Sequence, residues 1–295
     1  MNLLCIGCTG FLGAPLRQAL LNAGHRLHVV ARSPRVGIIH PLETWISFDS
    51  DWMSHLETVD GIINLAGESI ADGLWSTRRR ERIQDTRSGL CRRIMDRLSR
   101  SKQVPKVWIN ASAVGFFGDR GSEELMESSV CGSGFLAETC HNWEIEVQRS
   151  SLLGVRSVSL RFGVILSPGS GFLKPIEPIF QKGLGTILGS GNQFFAWVAR
   201  EDAIRSILFC LDSEIKGPVN VVAPHPIQQR DFAQALSQKY GKKLRIRIPA
   251  FLLRLVLGEL SSLILFSQRV IPDRLLDAGF RFKTERLQDA LTSYP

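Results

Sequence analysis

Acidic residues are missing from the start of this chain. The first 42 residues contain no aspartate or glutamate, and Glu43 is the first carboxylate met. An uninterrupted apolar run long enough for a bilayer is also missing. The nearest candidate, residues 251–271, is broken by Arg254, Glu259, Gln268 and Arg269, so a core helix is expected there and no membrane partner. Cysteines number six (Cys5, Cys8, Cys91, Cys131, Cys140 and Cys210), and their spacing forms no disulfide framework. Cys5-x-x-Cys8 has a redox or metal spacing on paper, but Cys8 falls inside a glycine turn where a metal would obstruct any ligand. Both are read as buried small hydrophobes, and no metal is expected. The sequence opens directly on a strand, so no leader is expected and the chain reads as cytoplasmic and reduced.

What fills the acid-free opening is glycine. Residues 2–13 read as a short apolar run followed by Gly7-x-x-Gly10-x-x-Gly13, and a helical pattern covers Phe11 to Asn22. A strand that delivers the chain to a glycine turn at a helix N-terminus makes a pyrophosphate site. The glycines allow close backbone approach, and free N–H groups with the helix dipole favour negative charge. The next strand, Leu27–Ala31, ends at Arg32. An acid at such a tip would bind the 2′-hydroxyl of NAD, whereas arginine suits the 2′-phosphate of NADP. Ser33 and Arg35 add further donors, arginine as a rigid fork that fits phosphate. The opening is therefore read as an NADP (NADPH) site.

The 295 residues carry a formal charge of +8 and are 44% hydrophobic, an ordinary globular composition. Arg78, Arg79, Arg80 and Arg82 form a basic run without interleaved aromatics. It reads as a solvated helix face partly serving cofactor phosphates, with no nucleic-acid partner. Strand-like and helix-like patterns alternate: an apolar run at 59–66, a long helix over 76–100, a strand at Val107–Ala113, a helix over 135–150 and a strand from Val155. That alternation predicts an α/β parallel sheet with its ligand beyond the carboxyl ends of the strands. After Leu166 the pattern changes to loops at 167–171 and 183–191, then a helix at 201–212, a strand at 218–222 and a helix at 229–240. Residues 1–165 and 200–222 are assigned to a dinucleotide-binding domain, and 166–199 with 223–295 to a smaller substrate lobe closing a cleft.

Taken in order, these motifs resemble the atypical branch of the extended short-chain dehydrogenase/reductases, the YfcH-like or nucleoside-diphosphate-sugar epimerase-like family. The matching stretches are 7–13, Asn64–Ile70, Trp75, Thr86-Arg87, Ser112–Gly121, Gly134–Glu138, Trp143-Glu144, Arg161–Leu166, Gly189–Trp197 and Val270–Phe280. The resemblance implies a Rossmann-like doubly wound sheet with a C-terminal substrate lobe. It implies cofactor contacts at Gly7, Thr9, Gly10, Phe11, Leu12, Gly13, Ala31, Arg32, Leu65, Ala66, Gly67, Arg82, Arg87 and Ile165. For Arg82 a solvated face is an equal reading.

The same resemblance exposes a gap. Members of the larger superfamily use Tyr-x-x-x-Lys, the tyrosine moving a proton on the substrate oxygen, and a serine that orients the substrate. This chain has two tyrosines. Tyr240 is followed four places on by Leu244, and Tyr294 is beside the C-terminus, so neither fits the motif. Phe135 and Thr139 occupy the helix where the pair belongs, and Ala199 stands where the family shows histidine after its Trp197. Ser112 remains as the orienting serine, and Glu68, beyond the fourth strand, is the better-placed acid. Glu138 and Glu144 read as helix-surface carboxylates and His141 as a surface or cofactor-contacting imidazole. Cys140 and His141 point about 100° apart on a helix and make no dyad. Phe194-Phe195-x-Trp197 either lines a pocket or packs a hinge, and Phe116-Phe117 suggests an apolar cleft. The expected activity is that of an NADP(H)-dependent oxidoreductase or epimerase-like enzyme on an unidentified small molecule, with a non-catalytic NADPH-binding redox sensor as the alternative. A homodimer is compatible with the sequence.

Overall fold

The computed structural model describes all residues except 36, 38, 39, 245 and 293–295, so Tyr294 lies outside the described residues. Strand β1 (Asn2–Ile6) is buried along nearly its whole length, the mark of a central parallel strand covered on both faces. Helix α1 (Gly13–Asn22) starts two residues later than the apolar pattern suggests, because Phe11 and Leu12 belong to the glycine turn. Strands β2 (Arg26–Ala31) and β4 (Gly61–Asn64) follow expectation. Between them lies an unexpected edge strand, β3 (Glu43–Ser47), hidden in the sequence by Pro34 and Pro41 and by its half-exposed, mixed composition.

The long helix expected over 76–100 is present but locally widened. Helix α2 (Thr77–Gln84), capped by Ser76, runs into a π turn at Asp85–Gly89 and on into α3 (Leu90–Leu98). Leu90, Ile94 and Leu98 of α3 are buried against the sheet, each stabilising the fold by about 2 kcal/mol. Strand β5 spans Val107–Ala113, as the sequence indicates. A short strand β6 (Glu124–Leu125), helix α4 (Phe135–Gln148) and strand β7 (Arg156–Phe162) come next.

Beyond β7 the chain forms β8 (Val164–Ser167), β9 (Ser170–Gly171), a short helix α5 (Glu177–Gln181), β10 (Thr186–Leu188), β11 (Phe194–Phe195) and β12 (Trp197–Ala199). Strand β10 occupies the middle of the glycine-rich stretch read as loop. Helix α6 (Arg200–Asp212) and strand β13 (Gly217–Val221) return to the main sheet. The remainder holds β14 (Ile227–Gln228), α7 (Gln229–Lys239), β15 (Ile246–Ile248) and α8 (Ala250–Leu257). It ends with α9 (Ser262–Leu265), β16 (Arg269–Val270), α10 (Asp273–Asp277) and α11 (Leu287–Thr292).

Seven parallel strands make the main sheet in the order β13-β7-β5-β4-β1-β2-β3. Leu16 and Leu20 of α1, Ile207 of α6, and Leu275 with Phe280 and Phe282 cover one face. Trp52, Leu90, Ile94 and Trp143 cover the other. This is a Rossmann-like doubly wound α/β fold. A further core joins Leu166, Phe180, Trp197, Phe232, Leu236 and Leu291. Chain order reverses between β1 and β4, and the crevice at that switch point is where this architecture binds ligands.

The stretch 251–271 does not form the expected core helix. It is divided into α8, a turn and α9, and α8 buries none of its residues. Phe251, Leu255 and Val256 are 65%, 79% and 71% exposed. Apolar composition identifies a helix but does not orient it.

Glu127 fastens the loop after β6 to β13 and α10. Its Oε1 accepts the backbone N–H of Asn220 at 2.9 Å and of Arg274 at 3.4 Å. Oε2 is buried and has no hydrogen-bond partner among the described residues. Burial pushes the carboxyl above the ordinary glutamate range, outweighing those N–H contacts. Between the unfolded and the folded pKa the folded state therefore holds a proton that the unfolded chain releases. Stability contributed by this group is full below the unfolded pKa, about 4.3, and declines as pH rises through the higher folded value. Glu127→Gln is expected to flatten that decline. Melting temperatures of both proteins across the acid-to-neutral range, differing by a constant, would rule it out.

Candidate active site

Parallel register brings the predicted residues to one edge. Ile6 pairs with Val30 on one side and with Asn64 on the other. The glycine turn after β1 thus lies between the tip of β2, with Ala31 and Arg32, and the Leu65–Gly67 segment after β4. Asn64 pairs with Asn110, and Ser112 with Arg161, which extends the edge to β5 and β7.

The glycines are placed by contact. Gly7 has φ +78°, and a Cβ there would come within 2.6 Å of the Ala66 nitrogen. A Cβ on Gly13 would reach 2.3 Å from the Gly7 carbonyl oxygen. Gly10 differs: its Cβ would meet only the Gly7 oxygen, at 3.6 Å, so this residue borders open space. No side chain caps the N-terminus of α1. Its N–H dipoles and the bare Gly10 form a cradle suited to a diphosphate.

That cradle is the floor of a cavity of about 650 Å³. Of the predicted site residues, Gly7, Gly10, Phe11, Leu12, Gly13, Leu65, Ala66, Gly67, Arg87, Ser112 and Ile165 line it. Thr9 is exposed on the turn, and Ala31 is buried at the end of β2. Arg32, Ser33 and Arg35 are exposed beyond β2, outside the cavity wall. The Arg35 guanidinium lies 5.3 Å from the Trp45 ring.

The π turn between α2 and α3 serves this wall. Thr86 Oγ1 accepts the Glu68 backbone N–H at 3.1 Å, and Arg87 Nη2 donates to the Glu68 carbonyl at 2.8 Å. Arg87 also lies 5.3 Å from the Trp143 ring and against Gly67. Burial lowers its pKa from the usual arginine value, so it presents a poorly hydrated cation to the cavity. π turns recur at functional sites for this reason, since they re-aim side chains without ending a helix.

Glu68, the acid favoured by sequence, turns its carboxylate elsewhere. Oε1 lies 3.2 Å from Arg79 and 3.2 Å from Arg82, while its neighbours Gly67, Ser69 and Ile70 form the cavity wall. Arg82 is thereby an ion-pair partner on an exposed face.

The acid beside Ser112 is Glu144. Ser112 Oγ–H donates to Glu144 Oε1 at 2.6 Å. Arg161 grips the same carboxylate with both arms, Nε to Oε1 at 2.9 Å and Nη2 to Oε2 at 2.8 Å. Arg161 is 3% exposed, and its guanidinium stacks 3.5 Å from the Phe116 ring centre. The expectation of a surface carboxylate at Glu144 is therefore corrected, because helix α4 turns this side chain inward onto β5 and β7. With the Ser112 proton committed to Glu144, the hydroxyl lone pairs remain for a hydrogen-bond donor in the cavity.

Other expectations also change. Phe116 and Phe117 are buried behind the wall, and Phe195 packs on Phe232 at 4.7 Å while Trp197 is fully buried. Neither aromatic pair lines the cavity; packing is the correct alternative for 194–197. Phe135 stacks on Trp75 at 5.0 Å, and Thr139 Oγ1–H is spent on the Phe135 carbonyl at 2.6 Å. Burial pushes the Cys140 thiol up to about 12, so it stays protonated. Glu138 and His141 are exposed.

The model of the NAD dependent epimerase/dehydratase family matches residues 3–222, and a domain of unknown function matches residues 248–294. The chain belongs to the NAD-dependent epimerase/dehydratase family. Epimerase family protein YfhF of Bacillus subtilis is 33% identical over 296 residues, 99% of this chain and 97% of its own length. The crystal structure of human epimerase family protein SDR39U1 (isoform 2) with NADPH is 27% identical, with a TM-score of 0.85 over 99% of this chain and 98% of that one. A nucleoside-diphosphate sugar epimerase structure from Corynebacterium glutamicum is 28% identical with a TM-score of 0.77, covering 98% of this chain and 57% of that chain. These relatives support the atypical short-chain dehydrogenase/reductase grouping. Among the described residues no helix is long and apolar enough to cross a membrane.

Proposed function

We propose that this protein is an NADP(H)-dependent oxidoreductase or epimerase-like enzyme acting on a small molecule. The observation that carries the reading is a glycine cradle at the β1/β4 switch point, opening into the same cavity as Ser112. The residues fit the cofactor: Gly10 leaves room for a diphosphate, the Arg87 cation faces the cavity, and Arg32 with Ser33 stands free at the tip of β2. NADPH bound in the human relative supports the same choice. When bound, the nicotinamide supplies the hydride chemistry. Gly7, Gly10 and Gly13 admit the diphosphate, Arg32, Ser33 and Arg35 meet the 2′-phosphate, and Leu65, Ala66 and Ile165 wall the dinucleotide. Ser112 holds a substrate hydroxyl, and Glu144 with Arg161 fixes the direction of its proton. The assignment of 1–165 with 200–222 to cofactor and 166–199 with 223–295 to substrate belongs to this reading. Six free thiols support a reducing, cytoplasmic setting.

A non-catalytic NADPH-binding sensor is favoured by one observation: Phe135 and Thr139 leave no proton-transfer group where the superfamily places one. The test is calorimetry with NADPH, followed by nicotinamide absorbance during addition of carbonyl compounds. Binding with slow oxidation is the expected result. Binding without oxidation across a broad panel selects the sensor, and no heat with either nucleotide ends both readings.

A further inference from the structure

A second chamber of about 530 Å³ adjoins the first, and Leu136, Ser262 and Phe266 belong to both walls. A ligand held at Ser112 has this chamber for the rest of its body. The inference below rests on the function proposed above.

Several of the chamber's polar atoms are already engaged. Trp75 Nε1–H donates to the Ile70 carbonyl at 2.9 Å, so the indole offers only its apolar surface. Ser261 Oγ–H donates to the Gly258 carbonyl at 2.6 Å, and Asp119 Oδ1 accepts the Ser267 N–H at 3.0 Å. Arg80 pairs with Glu259 and lies 4.9 Å from the Phe135 ring. The cation lining the described wall is Arg254, which shares that wall with Asp119 and Glu259. Aromatic and aliphatic surface from Trp75, Phe135 and Leu265 makes up much of the remaining wall.

Charge decides what fits. A diphosphate needs converging arginines, lysines or N–H groups to offset its desolvation, and here one lining cation, Arg254, shares a largely apolar wall with two carboxylates, Asp119 and the Arg80-paired Glu259. A neutral ring or short alkyl chain meets no such penalty, and each Å² it buries contributes about 25 cal/mol. We propose that this chamber selects an uncharged, apolar-bodied alcohol or carbonyl compound and excludes nucleoside diphosphate sugars.

The probe is 2-acetylnaphthalene, a neutral aromatic ketone, followed by quenching of tryptophan fluorescence with and without saturating NADPH. Saturable binding is expected, undisturbed by millimolar UDP-glucose. Leu265→Arg, which puts a cation into the chamber, should weaken the probe about tenfold or more. Leu255→Glu, on the outer face of α8, should leave it unchanged. Phe135→Ala serves if the arginine variant fails to fold, and should weaken the probe likewise while keeping Trp75 as the reporter. Displacement by UDP-glucose, an unchanged affinity in the chamber variants, or loss in Leu255→Glu would overturn the proposal. NADPH affinity, measured separately, should be the same in all variants. Failure of NADPH to bind the wild type would sink the functional reading while leaving the chamber's preference to be read from the probe.

Discussion

Arg32→Ala is expected to raise the NADPH dissociation constant about 30-fold and to leave NADH within about twofold. A hydrogen bond to a charged group contributes about 1.5–3 kcal/mol, and about 1.4 kcal/mol is a factor of ten. The guanidinium is exposed at the end of β2, so salt weakens its effect and the measurement belongs at low ionic strength. The local field supports the assignment. Glu43, the first carboxylate of the chain, is on the next strand, but its side chain is fully buried and paired with Arg17, with Trp45 Nε1–H donating to it at 3.2 Å. It cannot take the role of a ribose-binding acid. Arg32→Asp, which supplies one, should reverse the preference toward NADH. Calorimetry with both nucleotides decides it: equal losses for the two in Arg32→Ala would reject a 2′-phosphate contact.

How much of this could be read beforehand depends on whether the information is local. The β1–turn–α1 unit and β5 could, because apolar runs and glycine spacing report on neighbours in sequence. Strand β3 could not, since an edge strand needs no apolar pattern and its pairing is decided by β2. The π turn is invisible because Thr86 and Arg87 suit an α-helix equally well; contact with the Glu68 backbone selects the wider turn. Helix position alone does not reveal that Glu144 turns inward. The available signal was Arg161, an arginine at the end of a strand otherwise built to be buried, since a buried guanidinium requires a carboxylate. Seventeen residues of separation gave no spacing rule to name which one. The cleft was legible through its glycines, and the adjoining chamber was not, because α8 and α9 carry apolar composition without a stated direction.

Glu144→Ala should be the most damaging single change in the site, lowering stability by about 3–5 kcal/mol. The figure is large because of what is left behind. Arg161 would keep the Glu127 carbonyl at 3.2 Å and the Phe116 face, but no counter-charge, while remaining almost wholly buried. A domain's whole margin is about 5–15 kcal/mol, so a melting temperature about 10 °C lower is expected. Ser112→Ala removes one hydrogen bond on the cavity side and should cost about 1 kcal/mol. The contrast separates the two roles: Glu144 holds both the fold and the Ser112 proton, whereas Ser112 serves the ligand. A double variant makes the cause explicit. Glu144→Leu combined with Arg161→Met removes both charges and should regain most of the loss, because an apolar pair of similar volume has no desolvation penalty to offset. Thermal melts of Glu144→Leu, Arg161→Met and the double variant measure that coupling. If the double variant falls by the sum of the singles, the damage comes from lost packing and not from a stranded charge, and Glu144 loses its place as the residue that aims Ser112.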